Sequence, residues 1–270
     1  MGLRICVGGV TGWTGSALAK AVMDEADLDL SGAVARKVAG QDAGQAIGRE
    51  AIGLAVSESV EAALKAGPTD VYIDYTHPSA VKANVLTALK LGVPAIVGTS
   101  GLTASDYAEI AKAADHQGLG VVASGNFSLT AALLQRFALM AARHVPDYEI
   151  IDYAKYSKPD VPSGTANELA ERLGKIAPSK PGVPIDKIIG PKEARGADVS
   201  GGRVHSVRLP SFVLSAEVIF GMAGERLTIR HDAGTSAEPY VGGTLLAARR
   251  VVTMKGLVRG LDNLLFGQFA

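Results

Sequence analysis

At 270 residues, 47% hydrophobic and 20% charged, the chain is long enough for two domains and apolar enough to bury a sizeable core. Lysine plus arginine and aspartate plus glutamate each total 27, and the resulting zero net charge argues against nucleic acid or an anionic membrane as the main partner. Cys6 is the only cysteine and no signal-peptide pattern or membrane-length apolar run is present, so a reducing, cytoplasmic setting is expected.

Residues 3–7 read as a short buried strand and 16–22 as a helix. Between them Gly9, Gly12 and Gly15 have a G-x-x-G-x-x-G spacing, a variant of the dinucleotide fingerprint. Glycine there permits the tight turn, close approach to a pyrophosphate and close helix–strand packing. Gly9, Thr11, Gly12, Trp13, Thr14 and Gly15 are therefore the first candidate cofactor residues. A second strand, 28–34, leads into Arg36 and Lys37, where an NAD-binding unit would carry an acid for the ribose hydroxyls. Two cations suit a 2′-phosphate, so NADPH is expected over NADH, which stays possible; a solvated basic turn is the bland alternative. The glycine- and alanine-rich 38–57 predicts a loop with a short helix.

Helix 60–64, strand 71–75, helix 79–91, strand 95–97, helix 104–116 and strand 120–123 then alternate, which predicts a doubly wound parallel sheet. Ligands of such sheets bind at the carboxyl ends of the strands. The turns there add Tyr75, Thr76, Gly98, Thr99, Ser100, Gly101, Ser124, Asn126 and Phe127 as candidates for the nicotinamide end. His77, next to Pro78, reads as a loop residue rather than a catalyst.

Residues 131–144 are helical with one apolar face, and 148–153 alternate as a strand. Next come Lys158, Pro159, Asp160, Val161, Pro162, Ser163, Gly164, Thr165 and Ala166, running into a helical pattern at 167–173. Ser163 or Thr165 can cap that helix, and Gly164 lets a ligand approach the backbone. Free N–H groups at a helix start favour an anion, and Lys158 adds a mobile positive charge. An ordinary capped turn is the plain alternative, since Thr165 and Glu168 alone have capping-box spacing. The stretch 174–202 predicts an extended loop, while 203–209, 216–221 and 225–231 alternate as strands and make His205 and His231 packed or surface side chains. An amphipathic helix is expected over 240–254. No His/Cys/Asp/Glu grouping has metal spacing, so no metal is expected.

In this order the motifs resemble the dihydrodipicolinate reductase (4-hydroxy-tetrahydrodipicolinate reductase) family over nearly the whole chain. The matching pieces are Gly9/Gly12/Gly15, Ile73-Asp74-Tyr75-Thr76, Gly98-Thr99-Ser100-Gly101, Asn126-Phe127-Ser128 and the stretch from Lys158 to Ala166. The resemblance implies an α/β fold, with a Rossmann-type doubly wound parallel sheet built from both chain ends (1–129 and 239–270). A second α+β domain (130–238) would carry a mixed, mostly antiparallel sheet for substrate binding and assembly into a homotetramer. It also implies reduction of a small-molecule cyclic imine carboxylate in the lysine/diaminopimelate pathway, with Ser163, Gly164 and Thr165 on the substrate and Lys158 at the reacting centre.

The chain departs from the family where the resemblance places two histidines, a proton donor and a carboxylate ligand. Those places hold Ala154 and Lys155, flanked by Tyr153 and Tyr156. A Gly-Glu-His turn is matched by Leu214-Ser215-Ala216, and a Ser-Arg pair by Thr235-Ser236. The candidate catalytic set is accordingly Lys158, Lys155, Tyr153 and Tyr156, since a desolvated lysine or a tyrosine can shift its pKa toward neutrality. The alternatives are a diverged paralogue acting as an imine reductase or amine dehydrogenase, and a non-catalytic cofactor-binding relative.

Overall fold

The computed structural model describes residues 2–180 and 182–268. In chain order its first strands and helices are β1 (Leu3–Gly8), α1 (Trp13–Asp24), β2 (Leu28–Val34), α2 (Ala43–Ala46), α3 (Val60–Ala66), β3 (Val71–Asp74), α4 (Pro78–Lys90), β4 (Ala95–Val97), α5 (Ala104–Gln117) and β5 (Gly120–Ala123). Then follow α6 (Leu129–Ala142), β6 (Tyr148–Ala154), α7 (Gly164–Ile176), β7 (Ala197–Val199), β8 (Gly202–Arg208), β9 (Leu214–Met222) and β10 (Glu225–Ala233). The chain ends with α8 (Glu238–Val251), β11 (Gly256–Arg259) and α9 (Leu261–Phe266). Two compact units result: one runs to Leu129 and resumes over Ala237–Gln268, the other is Thr130–Ser236. Among the described residues no helix is long and apolar enough to cross a membrane.

The first unit holds a six-stranded sheet in the order β11-β5-β4-β3-β1-β2, parallel throughout. Its inner strands are apolar because both faces are covered, and Ile5, Cys6, Val7, Ile73 and Ile96 are fully buried. Burial pushes the Cys6 thiol up to about 12, so it behaves as an inert core group. Gly32 stands opposite Cys6 in the ladder, where a Cβ would lie 2.7 Å from the sulfur. The strand order turns back between β1 and β3, which is where an open α/β sheet offers its ligand crevice.

The C-terminal elements belong to this unit by specific contacts. β11 pairs with β5, α8 packs on α1, and Arg249 bonds Asp27 at 2.7–2.8 Å and Glu25 at 2.8 Å. β11 and α9 follow the helix expected over 240–254 and were not expected from sequence.

The second unit has a five-stranded mixed sheet, β10-β9-β6-β8-β7, in which only β6 and β8 run parallel. Helices α6 and α7 cover one face, packing Leu134, Leu139, Leu169 and Leu173 on Ile150, Val204, Val218 and Phe220. Truncating one such leucine to alanine removes about 2–5 kcal/mol. Burial in β6 alternates strictly: Tyr148, Ile150, Asp152 and Ala154 face the helices, while Glu149, Ile151 and Tyr153 face away. The expected loop over 174–202 is not wholly irregular, because Ala197–Val199 pairs as β7 on the edge of β8.

Candidate active site

The first cluster of candidate residues surrounds the β1–α1 turn. Gly9 has φ +75, and the N–H groups of Gly9 and Val10 both donate to the Val34 carbonyl at 2.9 and 3.2 Å. Gly12 donates to the Gly9 carbonyl at 2.8 Å, closing the turn. A Cβ on Gly9 would sit 2.2 Å from the Tyr75 carbonyl oxygen, and one on Gly15 only 2.1 Å from the Gly9 carbonyl oxygen. Two of the three glycines are thus required by backbone contacts, and Gly12, with 3.1 Å to Gly9, nearly so. Gly12 caps α1 without a side chain and the first turn carries no acid. The first N–H groups of α1 therefore lack intrahelical acceptors, and the positive end of the helix favours an anion there. Thr11 and Trp13 are exposed and Thr14 half-buried around this opening; Trp13, 58% exposed, meets Tyr240 of α8 edge-on at 5.8 Å. A pyrophosphate suits this opening because the helix start is free of acids and of a side-chain cap, while the backbone contacts at Gly9 and Gly15 hold the turn in shape.

Arg36 and Lys37 occupy a short 3-10 turn two residues past Val34, the residue whose carbonyl holds the glycine loop. Both are exposed and neither forms an ion pair among the described residues. The same crevice is framed from β3 by Asp74, fully buried yet bonded by five donors. These are Tyr72 Oη (2.7 Å), Thr76 N (3.0 Å), Thr76 Oγ1 (2.8 Å), Asn84 Nδ2 (3.0 Å) and Thr99 Oγ1 (2.6 Å). That carboxylate ties the turn after β3 to the turn after β4 and fixes Thr76 and Thr99. This work of Asp74 was not among the roles expected from sequence, where its one signal is an acid closing an apolar strand two residues before a threonine.

Tyr75 leans into the space left by Gly98, whose Cβ would fall 2.3 Å from the ring, and packs on Phe127. Thr244 gives its proton to the Tyr240 carbonyl at 2.7 Å, so Tyr75 must be the donor in its 2.8 Å bond to Thr244. Burial holds the Tyr75 phenol well above its ordinary pKa. Ser100 and Gly101 are exposed beyond β4, with Gly101 at φ +98 beside Pro78. Past β5, Ser124 Oγ donates to the Asn126 carbonyl at 2.8 Å, and Asn126 Oδ1 accepts from Ser128 N at 2.8 Å. His77 is the N-cap of α4, where Nδ1 accepts from Ser79 N at 3.3 Å.

The second cluster lies in the other unit, at the excursion from β6 to α7. The cap of α7 is Ser163, not Thr165: its Oγ accepts from Ala166 N at 3.3 Å and donates to Asp152 Oδ1 at 2.7 Å. Gly164 has no atom within 4 Å of where its Cβ would stand, so it opens the first turn to a ligand, while Thr165 is buried beside it. The start of α7 carries no acid. Lys158 reaches Asp160 Oδ1 at 2.9 Å with its side chain 27% exposed. Burial opposes ionisation of Asp160, yet the Lys158 hydrogen bond and charge hold its carboxyl below the ordinary range.

The remaining catalytic candidates separate by face. Ala154 is fully buried. Lys155 is exposed and forms no ion pair among the described residues, and Tyr156 is 70% exposed. Tyr153 lies on the face of β6 turned away from Asp152, donates to Glu217 at 3.1 Å, and lies under the Arg230 guanidinium at 4.7 Å. Burial and the Glu217 bond raise its pKa, the reverse of the shift toward neutrality expected from sequence. His205 bonds Glu149 at 2.7 Å, and His231 is packed with Nδ1 3.0 Å from Thr130 Oγ1.

The family model described as dihydrodipicolinate reductase, N-terminus, matches residues 3–127, and its C-terminus counterpart matches 130–265. The 4-hydroxy-tetrahydrodipicolinate reductase of Desulfitobacterium hafniense is 38% identical, covering 97% of this chain and 98% of that protein. A dipicolinate-bound dihydrodipicolinate reductase from Paenisporosarcina sp. TG-14 superposes with a TM-score of 0.85 at 30% identity, over 98% of this chain and 100% of that one. An amine dehydrogenase from Mycobacterium smegmatis has TM-score 0.66 at 16% identity over 96% and 95% of the two chains, a likeness of fold alone.

Proposed function

The chain belongs to the dihydrodipicolinate reductase family, and on that premise we propose that it reduces the C=N bond of 4-hydroxy-tetrahydrodipicolinate or a closely related cyclic imine carboxylate. As a member of that family it is an NAD(P)H-dependent oxidoreductase. The observation that carries the reading is the start of α7, where an open glycine, an acid-free first turn and a nearby lysine make a carboxylate seat.

NADPH, when bound, supplies the hydride. The chain's own residues do the rest. The α1 N-terminus takes the pyrophosphate with Gly9, Thr11, Gly12, Trp13, Thr14 and Gly15, and Arg36 and Lys37 take the 2′-phosphate. Tyr75, Thr76, Gly98, Thr99, Ser100, Gly101, Ser124, Asn126 and Phe127 shape the nicotinamide end. In the second unit the first-turn N–H groups of α7 hold a substrate carboxylate and fix its orientation. Lys158, released from Asp160 as the anionic substrate arrives, faces the carboxylate and the imine nitrogen and donates the proton there. Lys155, unpaired and three residues away, is the second candidate, ahead of Tyr156; Tyr153 ranks last because its hydroxyl serves Glu217. The face of the second sheet turned away from α6 and α7, where Arg230 pairs with Glu217, is the surface we assign to homotetramer assembly, which sedimentation would test.

A second reading is a diverged reductase for another imine or an amine–ketone pair. It is favoured by Ala154, buried and without a proton to give, where the family resemblance places the donor histidine. One experiment separates them: NADPH oxidation followed spectrophotometrically with 4-hydroxy-tetrahydrodipicolinate and a panel of cyclic imines. Turnover at a rate about 10²–10⁴-fold below that on another imine supports the diverged reading, since that is the usual value of a positioned acid. Preference for 4-hydroxy-tetrahydrodipicolinate refutes it.

A further inference from the structure

Asp152 is a fully buried carboxylate in the middle of β6, on the face covered by α6 and α7. Four donors surround it: Ser163 N at 2.9 Å, Ser163 Oγ at 2.7 Å, Ser206 Oγ at 3.2 Å and Arg208 Nη2 at 2.7 Å. Arg208 is itself shared. Its Nη1 donates to the Asp152 and Val207 carbonyls at 3.2 and 3.0 Å, and its Nη2 to the Asp160 carbonyl at 3.0 Å. The planar guanidinium thus joins the last residues of β6 to the loop that carries Lys158, while the Asp152 carboxylate holds the end of that loop at Ser163.

Two consequences follow from donor counting. The Ser163 hydroxyl has one proton, given to Asp152, and an acceptor lone pair, given to Ala166 N, so it has nothing to donate to a ligand. It works as a strut, and the ligand must be met by the backbone N–H groups that follow it. Asp152 also puts a negative charge directly behind the proposed carboxylate seat, which unneutralised would repel the substrate. Arg208 cancels that charge at 2.7 Å. A neutral residue would avoid the repulsion but would lose the charge-assisted bonds that fix the strut.

We propose that Asp152 and Arg208 are positioning residues for the substrate carboxylate. Asp152 aims the first turn of α7 through Ser163, and Arg208 neutralises Asp152 while anchoring the loop that bears Lys158. This rests on the reading of the α7 start as a carboxylate seat. A pair that merely staples the fold would affect stability and leave ligand recognition alone, so the two roles separate by measurement.

The test is calorimetric titration of dipicolinate and of NADPH, with steady-state kinetics and melting curves, on the wild type, Asp152→Asn, Asp152→Glu and Arg208→Lys. Asp152→Asn and Arg208→Lys should bind dipicolinate about ten-fold or more weakly, the effect of one lost charged hydrogen bond, with NADPH affinity unchanged. KM for the imine should rise more than kcat falls, and Asp152→Glu, which keeps the charge, should regain part of the affinity. If Asp152→Asn does not fold, Arg208→Lys carries the same comparison. Folded variants with wild-type dipicolinate affinity and only a lower melting temperature would overturn the proposal, as would parallel loss of both ligands. A wild type that binds NADPH but no dipicolinate would remove the carboxylate seat itself, and this inference with it.

Discussion

Replacing Gly15 by alanine sets two effects of opposite sign against each other. Alanine within a helix normally gains about 0.5–1 kcal/mol over glycine. At Gly15, however, the new Cβ would lie 2.1 Å from the Gly9 carbonyl oxygen and 2.8 Å from its carbon. Both partners are main chain, so no rotamer change relieves the overlap, and either α1 shifts or the glycine loop opens. Overpacking costs about 1–3 kcal/mol, and a buried backbone contact lies at the upper end. The net expectation is a loss of about 2 kcal/mol, or roughly 4–8 °C in Tm for a unit of this size. Gly242 in α8 is the matched control, because its Cβ would meet nothing within 4 Å; Gly242→Ala should gain about 0.5–1 kcal/mol. The same displacement moves the N–H groups that meet the pyrophosphate, so NADPH should bind Gly15→Ala about ten-fold or more weakly. Trp13 is the only tryptophan and lies exposed on this loop, so its fluorescence should report the titration directly. A Gly15→Ala protein as stable as Gly242→Ala that binds NADPH like the wild type would refute the close-approach reasoning.

If Arg36 and Lys37 recognise the 2′-phosphate, the wild type should prefer NADPH over NADH by about ten-fold or more, and Arg36→Ala/Lys37→Ala should narrow the gap; equal affinities in the wild type would count against it. Lys158→Ala should abolish turnover of the true substrate, and wild-type rates in that variant would end the assignment; Lys155→Ala should be damaging only if that side chain shares the proton transfer. His231 offers a pH test. Burial lowers its pKa below the ordinary 6.5, and its Nε2 is buried without a partner. Below about 6.5 the unfolded chain binds a proton that the folded chain refuses, so stability should fall as pH drops from there toward the folded pKa. Urea melts at about pH 7 and 5.5 should show that slope, flattened in His231→Asn; an identical slope in the variant would assign it to other groups.

The alternation of strands and helices in the first unit was legible because inner parallel strands are apolar runs, and because glycines punctuate them where backbones nearly touch. The α7 start was legible for a similar local reason: a proline, a capping serine and a glycine before a helical pattern leave few conformations open. β11 was not, since a four-residue edge strand has no periodicity of its own and exists through its pairing with β5. Nor was the face of Tyr153. The alternation of β6 follows from its sequence, but which side is covered depends on where α6 and α7 pack.

The sequence by itself determined the local conformations, the glycine loop, the cations after β2 and the composition of the carboxylate turn, all of which rest on neighbours a few residues apart. Only the tertiary structure decided the partners of the buried charges. Asp152 and Arg208 are 56 residues apart, and Tyr75 and Thr244 are 169 apart. Each pair meets because two elements fix their positions independently, and no local preference encodes that meeting. A buried carboxylate must find donors to remain in the core, yet its own segment cannot specify which donors arrive.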